Sequence, residues 1–224
     1  MMHQRKGKKI LIYFFLLIIV GSINNIGFSK IKFENVNNIN IIGLGDVENS
    51  ILNKEIKELN LKNIFSINEN RIKKIIDSNT LVEKYLVNKR YPSTINIKIT
   101  KTNFLAKIND KDKMFLVGTN GRLIKIDSHN KELPFIFGKP EVSNFLQFKK
   151  IIDESKFSYS QIENFYFFPS KRWDLELKNK IVLKLPKQNI KRSLDIIFEL
   201  MNNSNFKNKK IIDMRIQNQI IIND

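Results

Sequence analysis

Apolar residues follow different rhythms in different parts of this chain. Ile10 to Val20 is unbroken apolar, and a weaker run through Asn24 and Asn25 extends it to Phe28. A helix over residues 10–28 would rise ~28 Å, close to the ~30 Å hydrocarbon core of a bilayer. From about Lys30 to Lys101 the pattern reads strand, helix, helix, strand, strand. Ile39, Ile41, Ile42 and Leu44 form a strand that runs into Gly43 and Gly45, and Asp46 is placed to cap a helix carrying Ile51, Leu52, Ile56 and Leu59. Asn68 caps a second helix with Ile72, Ile75 and Ile76, and Asn79 stops it. Leu81 to Val87 reads as a strand. The chain then turns at Tyr91-Pro92-Ser93, since proline presets φ and cannot donate to a ladder. Ile95, Ile97 and Ile99 alternate with Asn96 and Lys98, as a half-buried strand requires.

After Lys101 the rhythm is mostly β. Phe115-Leu116-Val117 leads into Asn120-Gly121, a two-residue hairpin signal, and Leu123 to Ile126 returns. Pro140 precedes a helix with Val142, Phe145, Leu146, Lys149 and Ile152. Strands are expected at Ile162–Phe168, at Arg172–Leu177 after the turn at Pro169-Ser170, and at Ile181–Pro186 across Lys178-Asn179-Lys180. A helix bearing Ile190, Leu194, Ile197, Phe198 and Met201 follows. From Ile211 to Ile222 the even positions are apolar except Asn218, and the odd positions 213 to 219 are polar. That reads as one half-buried terminal strand, placed to lie at a sheet edge with backbone groups unpaired.

The basic flank changes the picture at the N-terminus. Arg5, Lys6, Lys8 and Lys9 precede the apolar block, which predicts that residues 1–9 stay in the cytoplasm and the chain beyond residue 28 is exported. A retained anchor is the reading taken. The rival is a cleaved signal peptide, with Val20-Gly21-Ser22 as a small-residue cleavage site. The overall charge is +17, from 39 Lys and Arg against 22 Asp and Glu. These cations are scattered singly or in pairs such as Lys73-Lys74, so the reading is a solvated basic surface and no nucleic-acid partner.

Candidate chemistry is sparse. The absence of cysteine excludes disulfides, thiolate metal sites and a thiol nucleophile. The two histidines, His3 and His129, fall in the basic tail and in a turn-rich Asp-Ser-His-Asn stretch, and supply no metal set. Ser204-Asn205-Phe206-Lys207 matches the S-x-x-K spacing of some exported acyl enzymes, without the companion motifs. The expectation is a protein that is not an enzyme and that uses no metal, cofactor or small-molecule substrate.

Three stretches carry a family resemblance. Asn40-Ile41-Ile42-Gly43-Leu44 resembles the first strand of a POTRA module. Arg90-Tyr91-Pro92-Ser93-Thr94-Ile95-Asn96-Ile97, followed by Leu105-Ala106, resembles its last strand and the crossing into a β domain. Arg172-Trp173-Asp174-Leu175 through Leu185-Pro186, with Ile212-Asp213-Met214-Arg215, resembles the β domain of alphaproteobacterial members of the FtsQ/DivIB cell division family. Lys178-Asn179-Lys180 departs from the Asn-Gly that members often carry there.

The resemblance implies an α+β chain with a cytoplasmic tail (1–9), a single transmembrane helix (10–28), a POTRA module of β-α-α-β-β order (29–101) and a mostly antiparallel β domain with flanking helices (102–224). It further implies a non-enzymatic scaffold at the division septum. The protein would lie in the inner membrane with its C-terminal domains in the periplasm, binding FtsB and FtsL and, through them, acting on the septal peptidoglycan synthase FtsW–FtsI. In the family the main contact is a partner strand added to the terminal strand edge. By position that nominates Ile216, Asn218 and Ile220 on the edge strand, and Arg172 and Trp173 near the partner's helical part. Trp173 and Arg172 also read as a core anchor and a solvated cation. The rival functions are a POTRA-bearing accessory of outer-membrane assembly or secretion, and a hydrolase built on Ser204 and Lys207.

Overall fold

The computed structural model describes residues 3–23, 35–111, 113–125, 132–202, 209–216 and 219–223. The first helix, α1 (His3–Ile23), begins within the basic flank rather than after it. Its apolar part from Ile10 onward rises about 21 Å, and the side chains from Ile10 to Val20 are all exposed. No helix among the described residues is long and apolar enough to cross a membrane. The expected continuation to Phe28 lies outside the described residues.

A three-stranded sheet follows, built from β1 (Asn38–Ile42), β2 (Val82–Arg90) and β3 (Thr94–Lys101) in the order β1-β3-β2. β3 pairs antiparallel with β2 and parallel with β1, so the last strand lies in the middle. The helices α2 (Asp46–Lys57) and α3 (Glu69–Ser78) cover one face. Their Leu52, Ile56, Ile72 and Ile76 bury against Ile39, Ile41, Ile95, Ile97 and Ile99 of the strands. β-branched isoleucine suits a pleated surface packed on one side, which explains its dominance in this core. Asn68 caps α3 as expected, accepting from the Asn70 N–H. Asp46 does not cap α2. Gly45 takes the cap position at φ +133°, and Asp46 enters the first turn, where its charge favours the helix dipole. Gly43 must be glycine, because at φ +120° a Cβ would lie 1.8 Å from the Ile99 carbonyl oxygen.

The second sheet has nine strands in the order β12-β11-β10-β9-β8-β7-β4-β5-β6. These are β4 (Phe104–Asp110), β5 (Lys113–Gly118), β6 (Leu123–Lys125), β7 (Phe135–Phe137), β8 (Ile162–Phe167), β9 (Trp173–Leu177), β10 (Val182–Lys184), β11 (Ile211–Asp213) and β12 (Ile221–Asn223). Most neighbours are antiparallel. The exceptions are β4–β7, β7–β8 and β10–β11. The last two pairs are joined through helices α4 (Val142–Asp153) and α5 (Ile190–Met201), since parallel neighbours need a crossover. Both helices contribute to the core of this sheet: Phe145, Phe148, Ile152, Leu194 and Ile197 pack with Phe165, Trp173, Leu175 and Leu183.

Two further expectations are corrected. The Asn120-Gly121 hairpin is a four-residue connection between Gly118 and Leu123, because Asn120 is engaged elsewhere. The terminal strand from Ile211 to Ile222 is two strands, β11 and β12, folded back on each other. The Arg215 N–H and guanidinium both donate to the Asp213 carboxylate, which turns the chain out of the sheet after Met214.

The two sheets meet at the β5–β6 connection. Glu83 of β2 accepts from the hydroxyls of Thr102 and Thr119, at 2.9 and 2.7 Å. The Asn120 side-chain amide donates to the carbonyl oxygens of Thr80 and Val82. Arg122 donates to those of Asp77 and Asn79, at the C-terminal end of α3. A cation there satisfies orphan carbonyls and complements the negative end of the helix dipole.

Candidate partner-docking edge

The terminal strand β12 is one of the two edge strands of the nine, with β6 at the opposite edge, and β11 occupies its inner side. β10 spends backbone groups on β11: the Lys184 carbonyl accepts from Met214 N–H, and Val182 N–H donates to Lys210. The residues between, Ile211 and Asp213, therefore turn their backbone groups towards Asn223 and Ile221, with which they are in register. Alternation then points the N–H and C=O of Ile222 at the open edge. Ile221 is 42% exposed and Ile222 half-buried, so the edge presents backbone groups beside apolar surface.

The β11–β12 connection forms one wall of a groove of about 530 Å³, through Met214, Arg215, Ile216, Gln219 and Ile220. The opposite wall comes from the β10–α5 connection and the first turns of α5, with Pro186, Lys187, Asn189, Arg192 and Ile196. Cationic Lys187, Arg192 and Arg215 face the groove, and no carboxylate is among the described residues that line it. Ile216 is 53% and Ile220 40% exposed, so the groove carries apolar surface beside its cations.

Charges next to the edge are ordered by cross-strand register. Asp174 of β9, Lys184 of β10 and Asp213 of β11 lie side by side across three strands. Arg172 closes on Asp174 at 3.1 and 3.3 Å, and Arg215 pairs with Asp213. The Arg215 hydrogen bond holds the Asp213 carboxyl below the usual carboxylate range and raises the guanidinium in return. On the same open face of the sheet, Glu176 accepts from Asn164 and Tyr166, both at 2.8 Å. Those bonds lower the Glu176 pKa, while desolvation, then the bond to Glu176, pushes the Tyr166 phenol up to about 12.

The nominated residues separate on this geometry. Ile216 and Ile220 lie on the connection before β12 rather than on a strand, and Asn218 lies outside the described residues. Trp173 is 4% exposed, stacked on Phe148 at 4.8 Å and packed by Phe145, Phe165 and Phe167. It is a core residue and offers no ring to a partner, because the alternation of β9 turns it towards α4. Arg172 lies over the Phe168 ring at 4.4 Å and is tied to Asp174, with its side chain 22% exposed. Ile222, Lys187 and Arg192 were not nominated. The groove lysine and arginine carry no periodic signal, but the polar Pro186-Lys187-Gln188-Asn189 stretch between a strand and a helix marks where such a wall forms. His129, Ser204 and Lys207 lie outside the described residues.

Two family models match the chain: the FtsQ-type POTRA domain over residues 34–101, and the C-terminal region of cell division protein FtsQ/DivIB over residues 106–215. Among curated relatives, the cell division protein FtsQ of Rickettsia bellii is 26% identical over 191 residues, covering 83% of this chain and 70% of that protein. The FtsQ of Rickettsia felis is 24% identical over 200 residues, covering 87% and 73%. That of Rhizobium meliloti is 23% identical over 145 residues, covering 63% and 47%. The solved major extracytoplasmic domain of DivIB from Geobacillus stearothermophilus superposes with a TM-score of 0.35 at 11% identity, covering 48% of this chain and 98% of that one, too distant to argue from. The order of the two matched modules agrees with the order of the two sheets, and this chain belongs to the FtsQ/DivIB family of cell division proteins.

Proposed function

We propose that this protein is a non-enzymatic scaffold of the bacterial division machinery that holds the FtsB–FtsL pair by adding a strand of the partner to β12. The observation that carries the reading is the edge position of β12, with the Ile222 backbone directed outward and the cationic groove formed beside it by the β11–β12 connection. Main-chain hydrogen bonds to an edge supply affinity, and flanking side chains supply register. Ile216 and Ile220 form the apolar flank of the contact, and Asn218, which lies between them in the sequence, is the polar position of that segment. The cationic groove of Lys187, Arg192 and Arg215 takes acidic side chains of the partner's helical part, and Arg172, tied to Asp174, is a further cation assigned to that part. Through the bound pair the scaffold acts on the septal peptidoglycan synthase FtsW–FtsI.

The same reading makes residues 1–9 a cytoplasmic tail, 10–28 an inner-membrane anchor, 29–101 the POTRA module and 102–224 the periplasmic β domain at the septum. The exposed apolar stretch Ile10 to Val20 behind a basic flank supports the anchor. Capture of the FtsB–FtsL periplasmic segments by the full chain in detergent tests the contact. Ile222→Pro removes the outward N–H without taking a donor from the β11 ladder, and Ile222→Ala controls for the side chain. Capture by the parent and Ile222→Ala, lost in Ile222→Pro, supports strand addition. Equal capture by all three places the contact elsewhere.

A further inference from the structure

The first sheet has a second face, which α2 and α3 leave open. Its cross-strand rows are read directly from the register: Asn40, Asn96 and Asn88 form one row, with the Asn40 amide donating to Asn96 at 3.0 Å. Lys98 lies in the next row, Lys84 beyond it, and Arg90 at the other end of the sheet. All three cations are exposed, and none has an ion-pair partner among the described residues. Lys89, on the opposite face of the same strand, is instead paired with Glu69 of α3 at 2.9 Å. No strand residue of the open face is acidic, whereas the carboxylates of α2 and α3 belong to the covering helices. The row of Lys98 also holds Ile42 and Leu86, both exposed, and Lys84 shares a shallow pocket with Asp77 and Glu83. The open face thus combines cations, amide donors and two exposed apolar side chains, with no carboxylate on its own strand positions. Such a face favours a planar anionic surface over water.

From this combination of cations, amide donors and exposed apolar side chains we propose that the open face of the β1-β3-β2 sheet binds anionic phospholipid headgroups. The inference rests on the membrane anchor proposed above. The described part of α1 ends at Ile23 and β1 begins at Asn38. The intervening chain spans at most ~50 Å, so the face is tethered within reach of the surface that holds α1. Arg90 shares its row with Asn38, the residue at which the chain enters the sheet, so one cation stands at the tethered end. Each cation brought to an anionic surface is worth roughly fivefold in binding. The amides of Asn40, Asn88 and Asn96 donate to phosphate oxygens between them.

The test uses the full chain in phosphatidylcholine vesicles with and without phosphatidylglycerol. The protein has no cysteine, so a nitroxide on Asn88→Cys reports the open face and one on Ser50→Cys, exposed on α2, reports the helix side. Co-flotation with pure phosphatidylcholine reads the anchor alone. The expected result is co-flotation in both lipids, with position 88 shielded from a water-soluble relaxation agent at least threefold more in phosphatidylglycerol, and position 50 unchanged. The shielding should vanish in Lys84→Gln/Arg90→Gln/Lys98→Gln and in 0.5 M salt, where screening acts over roughly 4 Å. Co-flotation with equal accessibility at position 88 in both lipids overturns the face and leaves the anchor. Flotation and shielding only with phosphatidylglycerol supports the face and overturns the anchor. No flotation in either lipid overturns both.

Discussion

The Thr119 hydroxyl donates to the Glu83 carboxylate across 2.7 Å, joining the connection after β5 to a strand of the other sheet. Around that bond, Asn120 holds the carbonyl oxygens of Thr80 and Val82, and Arg122 holds those of Asp77 and Asn79. Partly buried bonds of this kind contribute about 1 kcal/mol each, more where a group would be left unpaired. Asn120→Ala is expected to cost about 1–3 kcal/mol and to weaken the coupling between the sheets. Trp173 fluorescence reports the second sheet, and circular dichroism reports both. In urea the two curves should coincide for the parent protein and separate for Asn120→Ala.

Trp173 is the only tryptophan and is enclosed by four phenylalanines. Its emission is expected to be blue-shifted in the folded protein. Trp173→Ala should cost about 3–5 kcal/mol through the lost contacts and the cavity left behind, while Trp173→Phe costs markedly less. If Trp173→Ala left stability within 1 kcal/mol of the parent, the ring would have to be at the surface, contrary to its packing.

The turn between β9 and β10 carries Lys180 at φ +69°, where a side chain is strained. Glycine relieves that strain at the cost of a more flexible unfolded chain. Lys180→Gly is expected to stabilise the protein by about 0.5–1 kcal/mol, read as a higher urea midpoint with an unchanged slope.

The Asp213–Arg215 pair gives the terminal hairpin an acid limit. Asp213 has its folded pKa lowered below the ordinary 3.8, so its contribution is present above that value and is lost as pH falls through the folded pKa. Glu176, lowered first by Asn164 and then by Tyr166, follows the same sign. Protection of the amides of residues 209–216 against exchange, relative to the intrinsic rate at each pH, should therefore fall below about pH 4 in the parent. Arg215→Gln should show lower protection near neutral pH and a smaller loss of it on the acid side.

The first sheet and its helices were legible because isoleucine marks both periods cleanly: Ile95, Ile97 and Ile99 alternate on β3, and Ile72 and Ile76 recur a turn apart on α3. Turn chemistry at Asn68, Asn79 and Tyr91-Pro92-Ser93 agreed with that period. β7 was not legible, since three residues, Phe135–Phe137, cannot display a repeat. The break between β11 and β12 was hidden for a different reason. Ile216 and Ile220 keep the even-position pattern through the connection, and neither glycine nor proline marks the turn. The bond from Arg215 back to Asp213 directs the chain there, and a two-residue ion pair looks the same in sequence on a straight strand. The β12 edge was thus legible as a terminal sheet edge, but its backbone register and the opposite wall of the groove came from the tertiary pairing.

Strand addition at β12 is tested most directly at the Ile222 amide, the donor aimed at the open edge. The full chain in detergent should show its exchange slowed at least tenfold when the FtsB–FtsL periplasmic segments bind, with matching protection in an extended segment of the partner. Binding that leaves exchange at Ile222 unchanged would contradict strand addition at this edge.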